Sequence, residues 1–140
     1  MTRVFAFAAL AACLSITASL AQEPKTAPPG PTVDITGSLE DLVLMREAPM
    51  SGVLVSQKSW EKLAASWGIK DVPKVDFGKE ILIVGTHRGT SFKFLTEKKN
   101  ADLVVEVIGD KDVKPGFRYK ILSVSRDGIK TVNGKELPKE

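Results

Sequence analysis

The chain has 140 residues, of which 43% are hydrophobic and 26% are charged, and this length suits one domain of ordinary size. Its formal net charge of +3 comes from interspersed residues of both signs, so a nucleic-acid partner is not expected. With one Cys and one His in the whole sequence, an internal disulfide and a Cys-based zinc site are excluded.

The N-terminal 21 residues are typical of an export signal. Arg3 supplies the positive start, and the apolar run over residues 4–16 is too short to stay across a bilayer. Ser19 and Ala21 then place small residues three before and one before a cut. The sequence therefore predicts cleavage before Gln22 and a periplasmic or secreted protein, with no stable membrane insertion of the mature domain.

A lipoprotein signal is the alternative for this segment. Residues 10–13 read LAAC and match a bacterial lipobox, in which Cys13 would become the lipid-bearing first residue. A cut before Cys13 leaves a very short apolar stretch after Arg3, whereas the apolar character continues beyond Cys13. The length of the apolar stretch therefore favours cleavage after Ala21, which also removes the only cysteine.

A proline-rich linker is predicted over residues 22–31, which read QEPKTAPPGP. Proline fixes φ and lacks an amide hydrogen, so this segment is not expected to join a helix or a sheet. It should be extended and should separate the domain from whatever lies at its N-terminus. The folded domain is therefore predicted over residues 32–140.

Short apolar runs separated by turn signals begin the domain. Residues 33–35 indicate a strand, and residues 52–56 indicate another. Between them, residues 41–47 fit either a strand or a helix, because the apolar run is too short to show a period.

One helix is predicted over residues 56–68. The Ser56 hydroxyl can accept a hydrogen bond from a free backbone N–H at the start, and Gly68 suits the left-handed conformation that ends a helix. The apolar stripe of this helix consists of Trp60, Leu63, Ala64 and Trp67. Large aromatic side chains dominate core energetics, so we expect this stripe to pack against a sheet rather than form a ligand platform.

The rest of the domain is predicted to consist of strands. The most apolar run, residues 80–85, should be a central strand that is buried on both faces. Further strands are expected over residues 91–96, 103–108, 117–125 and 129–132. The pairs Asp127-Gly128 and Asn133-Gly134 are typical of hairpin turns. These elements predict an α+β fold: a single sheet of about six mostly antiparallel strands, with one amphipathic helix packed on one face.

The order of these features over residues 52–95 resembles the PrcB C-terminal domain family. The matching residues are Ser56, Trp60, Trp67, Pro73, Val75, Asp76, Phe77, Gly89 and Phe92. The family is named after a regulatory subunit of a bacterial surface protease complex, and most of its members have no assigned activity. The resemblance implies an exported, non-catalytic domain and supplies no catalytic residues.

A catalytic role would have to use His87, the only histidine. A hydrolase also needs a nucleophile and an oxyanion site, and no Gly-x-Ser-x-Gly elbow is present. Asp110 and Asp112 alone are too few for a calcium loop, so no metal or other cofactor is expected. The sequence favours a non-catalytic protein-binding or regulatory module at the cell envelope. The alternative is a small envelope hydrolase or ligand-binding enzyme that uses His87.

The loop formed by His87, Arg88, Gly89 and Thr90 is the candidate partner-binding site. It follows the predicted buried strand and coincides with the glycine turn of the family that the chain resembles. Loops carried by a rigid scaffold often hold binding residues. Arg88 is the first candidate contact, because Arg is enriched at interface hot spots.

Overall fold

The computed structural model describes residues 31–139. The predicted export signal and all but the last residue of the predicted linker lie outside the described residues. The described strands are β1 (Asp34–Leu39), β2 (Val53–Leu54), β3 (Glu80–His87), β4 (Phe92–Lys99), β5 (Asp102–Gly109), β6 (Phe117–Ser125), β7 (Thr131–Val132) and β8 (Lys135–Glu136). The helices are α1 (Gln57–Ser66) and one 3-10 helix (Leu42–Glu47).

The strands form two four-stranded sheets, so the predicted single sheet with a helix on one face is wrong. The first sheet has the order β1-β6-β3-β2 and is antiparallel throughout. The second has the order β4-β5-β7-β8, in which β5 and β7 run parallel. The physical reason lies in β3, which carries apolar side chains on both of its faces. One helix covers only one of them, so a second layer must cover the other.

Two hydrophobic cores result from this layering, one on each face of the first sheet. The core that includes α1 contains Val33, Leu54, Trp60, Leu63, Ala64, Trp67, Val75, Leu82, Val84, Phe117, Tyr119 and Ile121. The core that includes strands of both sheets contains Val53, Ile81, Ile83, Leu103, Ile129 and Val132. Successive residues of β3 alternate between the two cores, which confirms the predicted central strand buried on both faces.

The predicted helix is confirmed together with both of its boundary signals. The Ser56 hydroxyl accepts a hydrogen bond from the Ser59 N–H at 3.3 Å, and Gly68 has a φ of +66°. All four residues of the apolar stripe are buried. The indole N–H of Trp67 donates to the Leu44 carbonyl at 2.8 Å, which ties α1 to the 3-10 helix. The segment that fitted either a strand or a helix is thus a 3-10 helix held against α1.

The two predicted hairpin turns have different outcomes. Asn133 and Gly134 have φ values of 50° and 72° and join β7 to β8, so the hairpin prediction for this pair is confirmed. Asp127 and Gly128 do not form a hairpin, because β6 and β7 lie in different sheets. This turn carries the chain from the first sheet to the second.

Candidate functional site

The four predicted site residues lie where the chain passes from the first sheet to the second. β3 ends at His87 in the first sheet, and β4 begins at Phe92 in the second. Arg88 and Thr90 are exposed, His87 is half-buried, and Gly89 is buried. The loop is therefore fixed at both ends by sheets and presents Arg88 and Thr90 outward.

Asp110, which directly follows β5, holds this loop in place. One carboxylate oxygen accepts a hydrogen bond from the Thr90 N–H at 2.9 Å, and the other accepts from the Ser91 N–H at 2.8 Å and the Ser91 hydroxyl at 3.3 Å. The backbone N–H of Asp110 also donates to the Ser91 carbonyl at 3.3 Å. One side chain thus satisfies two successive backbone N–H groups that would otherwise need water.

The His87 ring packs tightly inside this arrangement. Its Nε2 lies 2.9 Å from the Asp110 carbonyl oxygen, and its ring centroid lies 5.7 Å from that of Phe92. A Cβ at Gly109 would come within 2.5 Å of Nε2, and a Cβ at Gly89 would overlap the ring and the Asp110 carboxylate. Both glycines are therefore required for the close approach of the ring to the backbone.

The hydrogen bonds around Asp110 lower the pKa of its carboxyl. Partial burial by itself raises the pKa of the Asp110 carboxyl, but the hydrogen bonds from Thr90 and Ser91 together outweigh it. The His87 ring, whose Nε2 lies 3.8 Å from Oδ1, lowers the pKa further. The net pKa of Asp110 lies below its ordinary value of 3.8, so the carboxylate that accepts these bonds is ionised at neutral pH.

A second loop lies beside the first and adds apolar side chains to it. The Lys114 N–H donates to the Arg88 carbonyl at 2.8 Å, which brings the segment after β5 next to Arg88. The side chain of Val113 in this segment is 69% exposed. At the adjoining end of β5, Val107 and Ile108 are also exposed. We call residues 87–90 together with 107–114 the loop surface.

The contacts of His87 and Ser91 fix where their protons lie. A carbonyl oxygen can only accept, so the contact with Asp110 requires the proton on Nε2, which leaves Nδ1 as the lone-pair nitrogen of a neutral ring. The Ser91 hydroxyl donates to the Asp110 carboxylate at 3.3 Å. Within residues 31–139, no group of three or more His, Cys, Asp or Glu could hold a metal ion.

A separate cleft of about 710 Å³ lies at the other end of the first sheet. Glu80 and Ser125, which pair there, line it, whereas His87 pairs with Arg118 at the end that carries the loop surface. The Thr32 hydroxyl donates to the Glu80 carboxylate at 2.7 Å inside the cleft. None of the predicted site residues reaches it.

The sequence predicts the loop but not its anchor. Asp110 lies 20 residues beyond Thr90 in the chain, so no local spacing pattern links the two. An Asp side chain commonly bonds to backbone N–H groups within a few residues of itself, so the position of Asp110 after a strand does not reveal this contact.

Comparisons with known proteins give no relative for this fold or this loop. The chain matches no protein-family model, no curated protein and no solved structure. In the described part of the chain, no helix is long and apolar enough to cross a membrane.

Proposed function

We propose that this chain is an exported, non-catalytic domain that binds a protein partner at the cell envelope through the loop surface. The observation that carries the proposal is the Asp110 anchor, which holds an exposed loop in one conformation before any partner arrives. A loop that is already ordered loses less conformational entropy on binding. Five hydrogen bonds join residues 87–91 to Asp110, which is more than a simple connector needs.

The chemistry of the loop surface suits a protein partner. Arg88 projects from the anchored loop, and the hydrogen bond from the Lys114 N–H to the Arg88 carbonyl places the segment with the exposed Val113 beside it. An Arg next to apolar side chains combines charge-assisted hydrogen bonds with desolvated contact, which is the combination typical of interface hot spots. The resemblance to the PrcB C-terminal domain family supports the same class of function. The alternative, an enzyme that uses His87, would have to use Nδ1 as the base, because Nε2 donates to the Asp110 carbonyl.

Replacing Arg88 with Ala is expected to weaken partner capture about tenfold or more, as for a typical hot-spot residue. The side chain is exposed, so the melting temperature should stay within about 3 °C of the wild type. A photo-crosslinking residue placed at Thr90 identifies the captured protein in envelope extract, and binding of that purified protein is then titrated by calorimetry.

Two further variants complete this experiment. Lys58→Ala changes an exposed residue of α1, away from the loop, and should bind as the wild type does. Asp110→Ala leaves Arg88 in place but releases the loop, so it should weaken binding through lost order. Undiminished affinity of the Arg88→Ala variant would mean that the loop is only a connector.

Export is part of the same proposal, with cleavage before Gln22. The charged start, the short apolar run and the small residues at positions 19 and 21 support it. Intact-mass and N-terminal analysis of the protein recovered from outside the cytoplasm should give a chain that begins at Gln22. A lipid-modified chain that begins at Cys13 would instead make the protein a lipoprotein.

A further inference from the structure

The β4 strand forms a free edge of the second sheet. It pairs with β5 over its full length, and it is the first strand in the order β4-β5-β7-β8. Within residues 31–139, no other segment makes a backbone hydrogen bond to it. Most of its residues are exposed, and Leu95 at its centre is 47% exposed. An exposed edge of eight residues is a template for a further strand.

The hydrogen bond between the Asp110 N–H and the Ser91 carbonyl shows which residues of β4 point their backbone groups toward β5 and which point them away. Ser91 and Asp110 continue the register of the β4-β5 pair, so Ser91 and every second residue after it point their backbone groups toward β5. The residues between them point theirs away from β5. The outward N–H and C=O groups therefore belong to Phe92, Phe94, Thr96 and Lys98.

The side chains of β4 are complementary to a second, antiparallel copy of β4. Pairing centred on Leu95 places Phe94 opposite Thr96 of the second copy and Phe92 opposite Lys98 of the second copy. The backbone groups of these residues point outward, so the N–H and C=O groups of one copy meet those of the other and can form hydrogen bonds. On the exposed face of the sheet, Lys93 then lies opposite Glu97 of the second copy, and by symmetry this ion pair forms twice. Leu95 meets Leu95 of the second copy between the two pairs.

Neighbouring registers lack this complementarity. Pairing centred on Thr96 places Lys93 opposite Lys99 of the second copy and leaves Leu95 facing a carboxylate. Pairing centred on Phe94 leaves Lys93 facing Leu95 and shortens the overlap. Lysines on an edge strand ordinarily oppose pairing. Here Glu97, which also forms an exposed ion pair with Lys99 of its own strand at 3.2 Å, compensates Lys93 in one register, so Lys93 favours a second copy of this strand over other strands.

We propose that the edge of β4 is a homodimer surface, on which two copies pair antiparallel about Leu95 and join their second sheets into one continuous eight-stranded sheet. The interface is isologous, because each copy contributes the same residues. One strand pairing is smaller than a standard interface of about 1,600 Å², so we expect a dissociation constant in the range of about 1–100 μM. The inference rests on β4 and does not depend on the loop surface.

Sedimentation equilibrium of the purified chain, at concentrations up to about 300 μM, measures the dimer. Lys93→Glu and Glu97→Lys each replace two attractive pairs with two repulsive ones. Each variant should weaken dimerisation about tenfold or more. Both positions are exposed, and Glu97→Lys also removes only an exposed ion pair with Lys99, so the melting temperature of the monomer should shift by less than about 5 °C. Arg88→Ala, which removes a charge from the loop surface, should dimerise as the wild type does.

Two rescue experiments separate this register from any other self-association. The double variant K93E/E97K restores opposite charges across the edge and should dimerise within about threefold of the wild type. An equimolar mixture of the two single variants should form a heterodimer, because both of its cross-strand pairs are attractive. A chain that stays monomeric over the whole concentration range would overturn the proposal, and so would a dimer that K93E leaves unchanged.

Discussion

Replacing Trp60 with Ala is expected to destabilise the domain by about 3–5 kcal/mol, the range for truncating large aromatic side chains in cores. Trp60 has no exposed surface and packs in the core between α1 and the first sheet. Its indole N–H also donates to the Pro73 carbonyl at 3.1 Å, so truncation leaves that carbonyl without its indole donor as well as opening a cavity. A domain of this size has a total stability of about 5–15 kcal/mol, so this variant retains only part of it.

Urea unfolding followed by circular dichroism measures this loss. Lys58→Ala, on the exposed side of the same helix, is the matched control and should change stability by less than about 0.5 kcal/mol. A Trp60→Ala variant with the stability of the wild type would contradict the core assignment. The stripe would then have to be regarded as a binding platform.

Replacing Gly116 with Ala is expected to cost about 2–5 kcal/mol, from a strained backbone and a steric overlap that add together. Gly116 has a φ of +72° and directly precedes β6. A Cβ there would overlap the backbone carbonyl oxygen of Leu39, and it would lie 2.7 Å from the Cα of Glu40. Backbone atoms cannot move aside as a flexible side chain can. Because Leu39 pairs with Phe117, the overlap falls on the β1-β6 ladder itself.

The Gly134→Ala variant separates the cost of the strained backbone from the cost of the steric overlap. Gly134 has the same φ of +72°, but no atom lies within 4 Å of the position that a Cβ would take. This variant should therefore show only the conformational cost, about 1–2 kcal/mol. Thermal melting of both variants side by side gives the difference. Equal losses would mean that the contact with Leu39 relaxes freely.

The helix could be predicted from sequence because every signal for it is local. Ser56, Gly68 and the stripe between them all lie within one short segment, and they act through contacts made inside that segment. The arrangement of the strands could not be predicted in the same way. Alternation along a strand tells which residues share a face, but it does not tell which strand lies beside it.

The separation into two sheets depends on such long-range pairings. β3 and β4 are consecutive and joined by a short loop, and the fold predicted from the sequence placed both in one sheet. β3 instead pairs with β2 and β6, and β4 pairs with β5. The apolar character of both faces of β3 contained part of this information, since a helix on one face left the other uncovered. The second sheet packs on this other face.

The candidate site also has one part that could be predicted from local sequence and another that depends on long-range strand pairing. The loop over residues 87–90 could be predicted because it is continuous in sequence. Its anchor could not be predicted, because Asp110 reaches Thr90 and Ser91 only when Phe92 is paired with Gly109. A shift of that register by one residue would turn the Asp110 side chain to the opposite face. The order of the loop is therefore a property of the β4-β5 pairing.

The position of β6 has a consequence for how the molecule reaches its folded state. β6 lies between β1 and β3 in the first sheet, yet it is one of the last strands in the chain. While the chain is being made, β1 and one edge of β3 have no neighbour until residues 117–125 emerge. The helix that carries the tryptophans can form early. The first sheet, against which it packs, cannot be completed before β6 is available. Pairings between such distant segments make folding slow, so we expect the apolar faces of β1 and β3 to stay exposed until the C-terminal segment pairs with them.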